Sequence, residues 1–194
     1  TSISGGPVAT IVPQAGLLRG ASWGTDDTIV FATLDQSSEL LRVPSSGGTP
    51  EILTKPDPQT DHFFPDVLPG GRAVIFTINR VGPSPQTAIF DAQTGSTRIL
   101  IEGASFARYA ASGHLVYVVD RTMYAVRFDP KRLEAVGSGV PVLEGIVTKQ
   151  NGAADFAIAS NGTLVYRKGN PFGATGQTLV WVDRSGRTET LPLP

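Results

Sequence analysis

The sequence predicts an all-β protein built of β-propeller blades, and three observations carry that prediction. Aromatic anchors at Phe31, Phe76, Tyr117 and Tyr166 are spaced by 45, 41 and 49 residues, the period of a four-stranded blade. Each anchor ends a short apolar run that follows a turn: Gly24-Thr25-Asp26-Asp27, Leu68-Pro69-Gly70-Gly71, Ala111-Ser112-Gly113 and Ser160-Asn161-Gly162. Such turns are rich in residues that tolerate positive φ and join antiparallel strands. Finally, 194 residues at 40% apolar content, with Gly 22 and Pro 15, suit a turn-rich chain with a sizeable core.

The elements follow in order. Residues 1–16 contain Ser4-Gly5-Gly6-Pro7-Val8-Ala9-Thr10-Ile11-Val12, which copies the last turn and fourth strand of a blade and predicts an orphan outer strand. Blades are expected over 17–54, 55–103, 104–145 and 146–194, as one repeat array. Their second strands are Asp27-Thr28-Ile29-Val30-Phe31, Arg72-Ala73-Val74-Ile75-Phe76, His114-Leu115-Val116-Tyr117 and Thr163-Leu164-Val165-Tyr166. Third strands follow at Glu39 to Val43, Thr87 to Phe90, Met123 to Val126 and Thr178 to Val182. Second turns come at Ser45 to Gly48, Asp91 to Gly95, Asp129 to Gly139 and Asp183 to Gly186, and fourth strands at Thr49 to Leu53, Ser96 to Leu100, Val140 to Leu143 and Arg187 to Leu191.

Several stretches resemble the TolB-type, or PD40 (WD40-like), propeller repeat: Arg19 to Trp23, Phe64 to Arg72, Val126 to Leu133 and Leu179 to Gly186. The likeness covers nearly the whole chain and is closest to propellers appended to bacterial eukaryotic-like serine/threonine kinases. It implies a propeller that binds a partner. The usual Pro-Asp-Gly turn reads Pro69-Gly70-Gly71 in one blade and Ser160-Asn161-Gly162 in another, and there is no kinase signature.

Propellers usually close with about 4 to 8 blades. Four repeats therefore raise the question of what covers the two terminal faces, since a repeat buries its apolar face against a neighbour. The sequence favours a partial propeller, a segment of a larger ring by origin or half of a two-fold homodimer with about eight blades; the two are compatible, and the dimer is the favoured form. A single closed four-blade ring, with the orphan strand pairing onto the last blade, is the alternative.

Composition excludes several classes. A net charge of -1, from 16 basic and 17 acidic residues, provides no footprint for nucleic acid or an anionic membrane. No apolar run approaches the roughly 20 residues of a membrane helix. The absence of cysteine removes disulfides and thiolate chemistry and is compatible with a periplasmic or extracellular bacterial protein.

In a propeller, the fourth-to-first and second-to-third connections share one face. The long loops Lys55 to Asp61, Asn79 to Gln86, Gly145 to Ala154 and Gly169 to Gln177 all belong there, which marks it as the functional face. A metal site at the channel mouth would gather Asp61, His62 and Asp155, supported by Asn151 or Asp57. Imidazole with carboxylates suits zinc or manganese, and a carboxylate and carbonyl set suits calcium. Such a metal would activate water against phosphotriesters, esters or lactones, with His62 and Asp61 as catalytic candidates. The simpler reading makes these loop carboxylates solvated and His62 a channel-lining polar residue. The second histidine, His114, falls about 20 Å away, counted as six strand residues at roughly 3.3 Å each.

Other motifs read structurally. Gly20-Ala21-Ser22-Trp23-Gly24 matches the hydrolase string G-x-S-x-G, and Ser22, Asp66 and His114 follow hydrolase order, but that elbow needs a helix where a strand pattern stands. Asn161-Gly162-Thr163 reads as a type I′ hairpin turn rather than a glycosylation site. Trp23 and Trp181 read as blade packing. Arg19, Lys55, Arg80, Arg108 and Lys149 are cations placed to approach the channel mouth and receive an anion, although scattered cations at this density usually read as solvated surface.

Two functions remain: a non-catalytic module that binds a protein, peptide or small ligand through the long-loop face, and a metal-dependent hydrolase.

Overall fold

The structure is a computed structural model and describes residues 8–13, 16–34, 38–80, 82, 84–169, 180–182 and 186–190. The described residues are all-β, with no helix, and form four four-stranded sheets. Blade 1 comprises β1 (Leu18–Trp23), β2 (Thr28–Thr33), β3 (Leu40–Pro44) and β4 (Glu51–Ile52); blade 2 comprises β5 (Thr60–Val67), β6 (Ala73–Arg80), β7 (Gln86–Asp91) and β8 (Ser96–Glu102). Blade 3 comprises β9 (Ser105–Ala110), β10 (His114–Val119), β11 (Thr122–Asp129) and β12 (Glu134–Glu144); blade 4 comprises β13 (Phe156–Ile158), β14 (Leu164–Tyr166), β15 (Val180–Val182) and β16 (Thr188–Thr190). Every sheet is an antiparallel meander in chain order, the propeller blade expected from the repeat.

The hairpin between first and second strands recurs in all four blades, with three loop residues in blades 1, 3 and 4 and four, between Leu68 and Ala73, in blade 2. Its third loop position lies in the left-handed region: Asp27 (φ 59), Gly71 (φ 71), Gly113 (φ 80) and Gly162 (φ 86). In blades 2 to 4 that glycine donates back to the carbonyls of Leu68, Ala110 and Ala159; in blades 3 and 4 this is the three-residue hairpin with a left-handed closing residue. Asn161-Gly162 is thus not a type I′ turn, which would need positive φ at both residues; Asn161 instead accepts from the Thr163 N–H (2.9 Å) through its side chain.

Two expected boundaries move. The turn predicted over Asp129 to Gly139 closes by Leu133, because Asp129 Oδ1 accepts from the N–H groups of Lys131 and Arg132 (2.9 and 3.1 Å). The fourth strand then starts at Glu134, and a bulge between Val136 and Val140 absorbs the glycines. Of the predicted orphan strand, residues 8–13 carry no strand and Ile11 and Val12 lie over Leu18, Ala21, Ile29, Phe31 and Val43 of blade 1. Residues 1–7, most of the Gly169 to Gln177 loop and the turn at 183–185 fall outside the described residues.

Three apolar clusters hold the blades in line. Val30, Ala32 and Leu40 pack on Phe63, Phe64, Val74 and Phe76 between blades 1 and 2. Ile75 and Ile89 meet Leu115, Tyr117 and Val126 between blades 2 and 3, and Val116, Val118 and Met123 meet Phe156, Ile158 and Leu164 between blades 3 and 4. Among the described residues no cluster joins blade 4 to blade 1, so the array is a partial propeller rather than the closed four-blade ring.

A latch repeats beside these clusters. Ser22 Oγ accepts from the Val67 N–H of the next blade (2.9 Å), and Asp66 Oδ2, in the same register position, accepts from the Tyr109 N–H (2.8 Å). The third equivalent is Arg108, which cannot accept; it donates to the Phe64 and Ala107 carbonyls (3.0 and 2.9 Å) and lies 4.1 Å from the Phe106 ring centroid. Gly20, Phe64 and Phe106 all take positive φ (108, 54 and 53) where these inner strands bulge toward one another.

Candidate functional site: the long-loop face

Four connections meet on one face between blades 2 and 3: the β6–β7 loop, the β8–β9 step at Gly103, the β10–β11 turn at Asp120-Arg121 and the β12–β13 loop. They enclose a cleft of about 380 Å³ lined by polar groups that include Asn79, Arg80, Ser105, Arg121, Lys149 and Gln150. The β12–β13 loop is held in shape from within. Thr148 bridges Ala154, the Lys149 N–H donates to the Ala153 carbonyl (2.7 Å), and Asn151 Oδ1 accepts from the Ala153 N–H (3.1 Å). Ser105 Oγ then ties the loop to the inner strand of blade 3 by donating to the Gly152 carbonyl (3.1 Å).

Arg80 and Lys149, expected at the channel mouth, line this cleft. Arg80 Nε is buried with no hydrogen-bond partner among the described residues. Arg19 and Arg108 go elsewhere: Arg19 lies 5.9 Å from the Phe63 ring centroid, and Arg108 packs on Phe106. Arg121 was missed by motif reading. Its signal lies in the turn itself, where both Asp120 (φ 44) and Arg121 (φ 67) hold positive φ in a two-residue hairpin loop. That geometry favours Asn-Gly or Gly-Gly, so an arginine there keeps a side chain at a backbone cost of about 1 kcal/mol. Its guanidinium donates to the Gly169 carbonyl.

The candidate metal residues do not gather. Among the described residues no three His, Asp or Glu side chains form a group that could hold an ion. Asp155 is held by two cations, Lys149 (3.0 Å) and Arg167 (2.9 Å). His62 is 4% exposed, with its ring centroid 4.6 Å from that of Phe76 and Nδ1 2.7 Å from Thr54 Oγ1. It faces the packing between blades rather than an open channel. Asp57 accepts at its backbone carbonyl from Thr60 (Oγ1 at 2.7 Å) and is exposed. Asp61 opposes Asn79 in the β5–β6 pair. These residues do not fit a metal centre. Ser22, Asp66 and His114 form no triad either, because Ser22 and Asp66 are latches and His114 Nδ1 pairs with Ser112 Oγ (3.1 Å) at the hairpin end.

Burial pushes the His62 imidazole down to about 4, against the opposing pull of Asp57 and Asp61. The unfolded chain, with an ordinary value near 6.5, therefore takes up the proton first as pH falls. Stability from the neutral ring is complete above pH 6.5 and is lost progressively towards pH 4, by about 3 kcal/mol in all. Urea unfolding at pH 7 and pH 4 should show this extra loss in the parent and not in His62→Gln. Burial pushes the Asp66 carboxyl up, which acts with the opposite sign, so the difference between the two proteins is the informative quantity.

No family model matches the sequence, and no curated protein is similar to it. Solved propellers are. TolB from Acinetobacter baumannii aligns with a TM-score of 0.66 and 17% identity over 91% of this chain and 43% of its own. The putative TolB from Agrobacterium tumefaciens aligns with a TM-score of 0.61 and 16% identity over 84% of this chain and 60% of its own. The β-propeller domain of the Trilobed protease from Pyrococcus furiosus, described as having an open velcro topology, aligns with a TM-score of 0.55 and 12% identity over 90% and 57%. The likeness shows a TolB-like propeller fold, and this chain spans less than half of the first of these proteins and about 60% of the second.

Proposed function

We propose that this chain is a non-catalytic binding module: a propeller segment that presents its long-loop face to a protein, peptide or small ligand, in a ring completed by a second copy. The observation that carries the reading is the cleft of about 380 Å³ on that face, walled by four connections and lined by polar side chains. Its size falls in the range of small-ligand pockets, and it sits on loops fixed by a rigid scaffold. The likeness of the repeat to propellers beside bacterial kinases suits a sensor role of this kind. Ligands should perturb the four connections and be recovered chemically unchanged.

Ring completion rests on the two terminal faces. On the side of blade 1 away from blade 2, Ala21, Trp23, Ile29, Phe31 and Val43 share one face through their strand pairing. Trp23 is 62% exposed there and Leu18 57%. On the far side of blade 4, Ala157, Val165 and Trp181 are paired in register, with Trp181 43% exposed. The tryptophans expected to pack between blades thus lie on the two end faces, which no further blade covers among the described residues, although Ile11 and Val12 lie beside part of the blade 1 face. Such apolar blade faces pack against another blade everywhere else in the array, and two copies related by a two-fold axis would cover both ends at once.

A further inference from the structure

We propose that the long-loop cleft binds an oxyanion, a small carboxylate or phosphate, between Arg80, Arg121 and Lys149; this rests on reading that face as the binding face. Three independent observations converge. The three cations line a single cleft that also offers Asn79, Ser105 and Gln150. Arg80 Nε has no partner among the described residues, as is also true of Arg19, Arg72 and Arg167, so no hydrogen bond at that atom fixes the Arg80 guanidinium. Arg121 occupies a left-handed position (φ 67) that glycine would occupy more easily.

The acidic groups nearby temper the charge without cancelling it. Asp120 lines the cleft, and Asp155 takes Lys149 at 3.0 Å while also binding Arg167 at 2.9 Å. Since Asp155 is shared with Arg167, three cleft cations and Arg167 face two carboxylates. A concave wall focuses the remaining positive field, and a guanidinium presents paired donors that match the oxygens of a carboxylate or phosphate. The overall charge of -1 therefore hides a locally positive cleft.

The test is calorimetric titration of the intact protein with succinate, inorganic phosphate and an Asp/Glu peptide, beside glucose and spermidine as neutral and cationic controls. Amide chemical shifts would locate each ligand. At least one oxyanion should bind at the four connections, more weakly as salt is raised. Arg121→Gly removes the cation while easing the backbone, and should weaken that binding at least tenfold with the protein still folded; Arg121→Lys should restore part of it. The three oxyanion probes then separate a free carboxylate, a phosphate and a peptide as its source. Binding of glucose or spermidine at these loops, with no oxyanion bound, would overturn the oxyanion while leaving the binding face in place. Oxyanion binding unaffected by Arg121→Gly would overturn the assignment to this cleft. Perturbation by every bound ligand elsewhere would overturn the binding face itself.

Discussion

Replacing Asp66 with alanine should destabilise the protein by about 3 kcal/mol, more than any substitution of an exposed loop carboxylate. Asp66 Oδ2 accepts from the Tyr109 N–H (2.8 Å), joining blade 2 to blade 3, and its charge balances the neighbouring Arg108. Alanine leaves the Tyr109 N–H without this acceptor and Arg108 without a counter-charge in a partly desolvated position. Asp66→Asn keeps an acceptor while removing the charge, so its loss should be smaller. Ser22→Ala, which removes the corresponding neutral latch between blades 1 and 2, should cost about 1 kcal/mol. Urea unfolding of the three variants gives the order Asp66→Ala, then Asp66→Asn and Ser22→Ala. Equal losses for Asp66→Ala and Asp66→Asn would show that the missing Arg108 counter-charge carries the whole effect, and an Asp66→Asn protein as stable as the parent would show that the Arg108 charge needs no partner.

The second large effect concerns assembly. The parent should run as two chains by light scattering, and Trp181→Asp or Trp23→Asp should shift it to one. Both indoles are substantially exposed in the single array, so either change should leave the blade's own fold intact. A charge placed on an apolar face that must be desolvated costs several kcal/mol in the assembly. Circular dichroism separates lost assembly from lost folding. A parent protein that runs as one chain at all concentrations would overturn the second copy as the element that completes the ring.

Much of the fold was legible because a repeat reports itself four times. Phe31, Phe76 and Tyr117 are all buried in the structure, and the hairpin turns fall where Gly, Asn and Asp cluster. Blade 1 shows the limit of residue-type reading, since Asp27 (φ 59) holds the position that glycine holds in the other three blades. Only the register identifies it. The start of β12 was misplaced because Gly137 and Gly139 read as a turn, whereas the structure spends them on a bulge.

The site was less legible, for reasons of geometry. His62 looked chemically promising by residue type and proximity to Asp61, but strand alternation and the Phe76 ring turn it inwards. Asp155 stands near the right loop but faces two cations. Arg121 carries no motif at all. Its message is a backbone conformation that a sequence does not display, in a turn where the sequence alone would favour glycine. The latches are similar, because Ser22 and Asp66 are equivalent only once the bulged inner strands are laid in register.

The proposed role of this propeller segment is to bind through its long-loop face without converting what it binds. Its most direct test is amide chemical-shift mapping of the intact protein against a mixed panel of small molecules and peptides, with the panel analysed for turnover in the same samples. Saturable shifts are expected at Asn79 and Arg80, Gly103 to Ser105, Asp120 and Arg121, and Thr148 to Gly152, with every ligand recovered unchanged. Shifts confined to the hairpin turns around Gly71, Gly113 and Gly162, or conversion of a ligand that disappears with a chelator, would contradict it.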